Sequence, residues 1–283
     1  MNLSWRIGDV TITRILENEA SLPLSSLLPE ATPEALAPHM GWLAPDFADA
    51  QGNFTLSVHA LVIEASDLRI LVDTCVGDQV VPGFEMLASN PRFLDELAAA
   101  GFPRESIDFV LCTHLHFDHV GWNTLERAGR RVPTFPNARY LFARSEWEHW
   151  SGETNPAFAP TIEACVRPIV EAGLADLVET DHRLCDEVWL EATPGHTPGH
   201  VAVRVASRGE QAFITGDMTH HPVQWAELDW KMPADSDSAR AAATRRRVLD
   251  EHAGQPTLVI GTHYAPPCAG RLVRVAGGGR FET

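Results

Sequence analysis

No apolar run in this chain approaches the roughly 20 residues that a membrane-crossing helix requires. The opening Met1-Asn2-Leu3-Ser4-Trp5-Arg6-Ile7 also lacks the basic start and apolar stretch of a secretory leader. A soluble, cytoplasmic protein with no membrane partner is therefore expected. Cysteine is sparse: Cys75, Cys112, Cys165, Cys185 and Cys268 are odd in number and widely spaced, with no C-x-x-C pair. That spacing argues against a disulfide framework or a cysteine-built zinc site and leaves buried, reduced thiols as the expectation. Basic residues are scarce too, with 22 Lys and Arg against 38 Asp and Glu for a net charge of −16. A nucleic-acid binder needs a basic groove to displace counterions. The densest basic stretch here, Arg240 to Arg247, holds four arginines in an Ala-rich helical segment and reads as a solvated helix face. No nucleic-acid partner is expected. Linker-like shifts in composition are also missing, so the 283 residues, 45% of them hydrophobic, are expected to form one domain spanning 1–283.

Histidine, by contrast, is plentiful at 13 residues, and its placement is not uniform. Thr113-His114-Leu115-His116-Phe117-Asp118-His119 follows the apolar run Phe109-Val110-Leu111-Cys112 directly. In an extended segment His114 and His116 project to the same face, about 6–7 Å apart at the rise of a strand, and can converge on one metal ion. Asp118 and His119 come where the chain must turn ahead of Gly121, which suits a second ion beside the first. Three further turns are similar: Thr193-Pro194-Gly195-His196-Thr197-Pro198-Gly199-His200, Thr215-Gly216-Asp217-Met218-Thr219-His220-His221, and Gly261-Thr262-His263-Tyr264. Each follows an apolar run (Val188-Trp189-Leu190, Ala212-Phe213-Ile214, Leu258-Val259-Ile260), the arrangement expected of strand-end loops feeding one site.

From Val72-Asp73-Thr74 through the His-x-His-x-Asp-His turn to the final Gly-Thr-His, these motifs resemble the metallo-β-lactamase superfamily of metal-dependent hydrolases, in the family's order. The resemblance implies that His114, His116 and His196 hold one metal, that Asp118, His119 and His263 hold the other, and that Asp217 bridges them. Two divalent ions are implied, zinc by preference, since His and carboxylate ligands also accept Mn, Fe or Co. Within the superfamily, Thr215-Gly216-Asp217 with His220, followed by Asp235-Ser236-Asp237-Ser238, is most similar to the branch of methyl parathion hydrolase and the acyl-homoserine lactonases. Spacing alone does not choose between His196 and His200, and the family pattern favours His196. His220 stands where the homoserine lactonases carry a substrate-contacting tyrosine, and either it or His221 is a candidate supporting donor.

The resemblance implies a binuclear metal-dependent hydrolase, a lactonase or esterase using a metal-bridging hydroxide. Two divalent ions, two aspartates and a bridging hydroxide leave about one net positive charge facing the substrate. Asp118, Asp217 and His220 are the candidate catalytic residues: Asp217 as proton acceptor and donor to the leaving oxygen, His220 as donor to the developing oxyanion. The expected substrate is a small neutral or apolar ester or lactone. An organophosphate triesterase of the methyl parathion hydrolase type is the first alternative. A glyoxalase II-type thioesterase is third, because its anionic substrate calls for basic residues and the C-terminal region offers Arg271, Arg274 and Arg280 without a lysine. A metal-dependent small-ligand sensor is the non-enzyme alternative, and a homodimer is compatible with all of them.

Period-two alternation predicts strands over Trp5–Ile15 and Phe54–Ile63, and Arg69–Val72 reads as a short buried strand. Helices fit Asn90–Ala100, Ser145–Trp150, Ala159–Ala172 and Ser238–Ala253. The fold class is α/β: an αββα sandwich of two packed mixed sheets with outer helices, as the resemblance also implies. The segment 18–53 carries five prolines among apolar residues and is expected to form a packed, irregular flap. Leu22, Leu24, Met40, Trp42 and Phe47 are its candidate wall over the substrate. Trp225, eight residues beyond Asp217, has the best claim on the pocket among the tryptophans.

Overall fold

A computed structural model describes residues 2–81, 85–87 and 90–283. The chain opens with β1 (Ser4–Ile7), β2 (Val10–Pro23), β3 (Asn53–Ala65) and β4 (Leu68–Val72), paired antiparallel in sequence order. β5 (Phe109–Leu111) then adds parallel to β4. A separate hairpin, β6 (Thr124–Arg127) and β7 (Arg130–Pro133), precedes β8 (Arg139–Ala143) and β9 (Ala175–Val178), which extend the first sheet in parallel to seven strands. The second sheet has six strands in chain order: β10 (Val188–Ala192), β11 (Val201–Ser207), β12 (Glu210–Ile214), β13 (Leu258–Ile260), β14 (Ala269–Val275) and β15 (Gly278–Glu282). Only β12 and β13 run parallel within it.

Strand β3 alternates from Phe54 to His59 and is continuously apolar only over Ala60–Ile63, where both of its faces are covered. Its odd-numbered Leu61 and Ile63 pack between the sheets with Val188, Val203, Val205 and Ile214. Its even-numbered Val58, Ala60 and Val62 face the helical layer, where Phe93, Leu97 and Ile169 lie in the same core. A strand covered on both faces has no polar side to alternate with. Over the second sheet, helix Ser238–His252 buries Ala241, Thr244, Arg245, Val248, Leu249 and His252, one face at helical spacing, and the Asp237 side chain caps it by accepting from the Arg240 N–H. The expected αββα sandwich is present. The helix predicted over 159–172 is present with one departure: Ile162–Val166 forms a π-turn. Pro168 has no N–H to return to the carbonyl of Ala164, which instead accepts from the Thr124 hydroxyl at 2.8 Å.

The segment 18–53 departs from the expected irregular flap in its first part. Asn18 to Pro23 continue β2 against β3 beyond a register shift at Leu16/Asn18. Only then does the chain break into the one-turn helices Leu24–Leu27, Pro33–Leu36 and Met40–Leu43. Leu24, Leu28, Leu43 and Phe47 from this stretch are buried in the core.

Candidate metal centre

The histidine turns follow β5, β10, β12 and β13. Because β4 runs parallel to β5 and β12 parallel to β13, their C-terminal ends point the same way, and the turns gather along one edge of the sandwich. His114 and His116 follow β5, His116 in extended backbone, Phe117–Val120 makes a single helical turn that carries Asp118 and His119, and Asp217 sits in a tight turn after β12. Gly216 in that turn has φ +53° and lies so close to His200 that a Cβ would stand 2.5 Å from its Nε2; only glycine fits.

Every residue expected to hold metal arrives at this edge. His114, His116 and His196 form one group of converging ligand atoms, and Asp118, His119 and His263 another. His196 Nε2 is 2.9 Å from His116 Nδ1, and His263 Nε2 is 3.3 Å from His119 Nε2. Asp217 lies between the groups: Oδ2 is 3.8, 3.3 and 3.6 Å from Nε2 of His114, His119 and His196, and Oδ1 is 3.2 Å from Nε2 of His263. Neighbouring ligands on a tetrahedral ion with bonds of about 2.0–2.1 Å stand about 3.3–3.4 Å apart. The observed separations bracket that value, and His114 Nε2 is buried without a hydrogen-bond partner. The donors thus have the chemistry and spacing that one ion per group requires.

The imidazoles are aimed by partners on their far nitrogens. Asp73 Oδ2 bonds His119 Nδ1 at 2.8 Å and is itself held by Thr113, whose backbone N–H donates to Asp73 Oδ1 at 2.7 Å. Asp235 Oδ1 bonds His196 Nδ1 at 3.0 Å, and the backbone carbonyl of Ser57 bonds His263 Nδ1 at 2.9 Å. His200 stands apart from the ligand groups: its Nε2 accepts the Asp217 N–H at 2.8 Å and its Nδ1 meets the Thr193 hydroxyl at 2.8 Å. Burial pushes the His114, His116 and His196 imidazoles well below the usual histidine range, so they are neutral donors. At His119 burial acts the same way, but the carboxylates of Asp217, Asp73 and Asp118 outweigh it and hold the imidazole well above that range. Burial likewise opposes ionisation of Asp217, yet the surrounding imidazoles keep its pKa well below the carboxylate range. Asp73 and Asp235 stand inside the motifs that carry the family resemblance, but their spacing alone does not reveal that they support the imidazoles.

A cavity of about 560 Å³ opens over this floor. His116, Asp118, His196, Asp217, His220 and His263 face it from below, and Leu27, Leu56, Leu87, Phe158 and Met232 are among its walls. None of its described lining residues is a lysine or arginine. His220 has Nε2 at 3.1 Å from Asp217 Oδ2, while its Nδ1 is buried without a hydrogen-bond partner. His221 turns the other way, bonding the Phe47 carbonyl at 2.8 Å and capping the turn Pro222–Trp225. The apolar wall differs from the expected one: of the segment 18–53, Leu27 lines the cavity, whereas Leu22, Leu24, Met40, Trp42 and Phe47 do not. The chain turns at Pro23, which buries Leu24 inward, and Trp42 joins His39 and Glu227 around a different hollow. Trp225 is fully buried in the core and does not reach the cavity.

A two-sheet sandwich with a histidine and aspartate cluster at its strand ends is the metallo-β-lactamase fold. Residues 54–263 match the model of the metallo-beta-lactamase superfamily, and the chain belongs to that superfamily. It is 27% identical over 166 residues to an N-acyl homoserine lactonase of a Bacillus species, which covers 53% of this chain and 58% of the relative. The chain therefore spans a little over half the length of the curated relatives it matches. Among solved structures it is similar to AidC, a dizinc quorum-quenching lactonase in complex with a product, at 19% identity and a TM-score of 0.84 over 99% of this chain and 96% of that one. The hydrolase AbOPH of the beta lactamase superfamily gives 22% identity and a TM-score of 0.81 over the same shares. At these identities the structural likeness is one of fold.

Proposed function

We propose that the chain is a binuclear metal-dependent hydrolase that opens lactones or cleaves related esters. One observation carries this reading: two ligand groups meet across the Asp217 carboxylate on the floor of an apolar cavity without a cationic side chain among its described lining residues. His114, His116 and His196 would hold one ion and Asp118, His119 and His263 the other, with the Asp217 carboxylate lying between the two groups. When bound, the ions supply Lewis acidity and a water acidic enough to attack a carbonyl at neutral pH.

The chain's own residues do the rest. Asp217, its carboxylate kept ionised by its neighbours, takes the proton released on attack and returns it to the alkoxide oxygen that leaves. His220 orients that carboxylate through Nε2 and stands on the cavity wall, where the same N–H serves the oxygen that gains negative charge. Leu27, Leu56, Leu87, Phe158 and Met232 keep water from the acyl part of the substrate and strengthen the electrostatics of the floor. The matched N-acyl homoserine lactonases support lactones as the substrate class. Neutral phosphotriesters suit the same cation-free walls and form the second reading. A glutathione thioester finds no basic partner there: Arg271, Arg274 and Arg280 are not among the described lining residues, and the latter two pair with Asp250 and Glu282.

Elemental analysis of the purified protein should find close to two transition-metal ions per chain. Aliphatic lactones should then show higher kcat/KM than β-lactams or glutathione thioesters. Paraoxon-like triesters exceeding every lactone would replace lactonase by triesterase, and two bound ions without turnover on any ester would favour the ligand sensor.

A further inference from the structure

The first ligand group is assembled from two sheets. His116 and His196 lie 80 residues apart in the chain, in turns that follow β5 and β10. Glu146, in helix Arg144–Trp150 after β8, lies between these turns with 1% of its surface exposed. Its Oε1 accepts the backbone N–H of Leu115, the residue between His114 and His116, at 3.2 Å. Its Oε2 accepts the backbone N–H of Gly199, three residues beyond His196, at 2.8 Å. The Trp150 indole N–H donates to Oε1 at 2.7 Å and fixes the carboxylate from its own helix. The approach leaves no slack: a Cβ on Gly199 would stand 2.4 Å from the Glu146 nitrogen and 2.7 Å from the Ser145 hydroxyl.

We propose that Glu146 is a positioning residue for the metal centre, a carboxylate whose two oxygens tie the His114–His116 turn to the His196 turn and set the spacing of the first ligand group. The proposal rests on the ligand assignment given above. A carboxylate is required because both of its oxygens accept, whereas a glutamine would turn an N–H₂ donor toward one of the two backbone N–H groups. The second group has partners of its own, Asp73 on His119 and the Ser57 carbonyl on His263, and Glu146 bonds neither of those rings. Loss of the tie should therefore be selective for one ion.

Zinc titration of the holoprotein against a chromophoric chelator resolves the two dissociation constants. Glu146→Gln should weaken one of them by about 10–100-fold, the range for loss of a supporting partner, and leave the other nearly unchanged. Cobalt substitution should show an altered ligand-field spectrum for that same site. If Glu146→Gln does not fold, Glu146→Asp, one methylene too short to bridge both turns, carries the same expectation. Both constants unchanged, or both weakened equally alongside a lowered Tm, would reduce Glu146 to a structural anchor and overturn the proposal. Fewer than two ions in the wild-type protein would instead overturn the binuclear assignment on which it rests.

Discussion

Truncating Leu27 and Trp42 separately tests where the substrate lies, because the two residues belong to the same segment but face different hollows. Leu27 is 8% exposed, and the cavity over the metal centre is the space it borders. Removing the side chain down to Ala forfeits its apolar contact with a bound acyl or aryl group, about 1–3 kcal/mol. That contact exists equally in the ground and transition states, so KM should rise roughly 5- to 150-fold while kcat changes little. The same truncation leaves a void in the core, at a stability cost of about 2–5 kcal/mol, so Tm must be followed and kinetics measured well below it. Trp42→Ala should also lower Tm, since Trp42 packs against the core, but should leave KM where it was. Steady-state kinetics of both variants on the best lactone decide the matter. An equal rise in KM for both, or a rise for Trp42→Ala alone, would refute the placement of the substrate over Leu27.

Four further outcomes are expected. Asp217→Asn should lose about 10²–10⁴-fold in kcat, the usual worth of a positioned acid and base, while circular dichroism shows the fold intact; His200→Ala should keep both ions, since its ring bonds Thr193 and the Asp217 N–H rather than joining a ligand group, and loss of an ion from it but not from His196→Ala would reverse that assignment. Removing metal with a chelator should lower Tm, by the equivalent of about 4 kcal/mol where free zinc had stood at a thousand times its dissociation constant, and adding zinc back should restore it. Glu17, buried beneath Val76, Gly77 and Trp122, has its pKa pushed up by burial to about 7; as a group whose folded pKa exceeds its unfolded one, it contributes stability that is full below about pH 4.5 and is lost as pH rises toward 7, on the order of 3 kcal/mol. The difference in unfolding free energy between wild type and Glu17→Gln should follow that slope, and a flat difference would show that Glu17 titrates normally.

Much of the site was legible because its determinants are local. A ligand turn directly after an apolar run states both where the strand ends and what it presents, and the parallel pairs β4–β5 and β12–β13 bring such ends together at one edge. Helix Ser238–His252 was legible for the same reason: its spacing and its Asp237 cap lie within one segment. The segment 18–53 was not. Its prolines announce breaks but not which way the chain turns after each one, and that direction is set by the packing of Leu24, Leu28 and Phe47 into a core built elsewhere. A candidate wall chosen from apolar residues in that stretch therefore took residues that face the core or another hollow and passed over Leu27, which lines the cavity.

The carboxylates that support the centre show the same limit more sharply. Asp73 reaches His119 across 46 residues, Asp235 reaches His196 across 39, and Glu146 reaches Gly199 across 53. Asp73 and Asp235 stand inside motifs that carry the resemblance and Glu146 in none, but no spacing marks any of the three as a support among the acidic residues of a chain of net charge −16. The ligands themselves can be read because four of them fall within His114–His119 and each of the others stands in a turn that follows an apolar run. A supporting carboxylate follows no such pattern: it needs only one ring nitrogen or one backbone N–H, and any segment passing that point can provide it. The acidic excess that argued against nucleic acid as a partner thus includes the groups that aim the imidazoles, and only the fold separates them from the solvated rest.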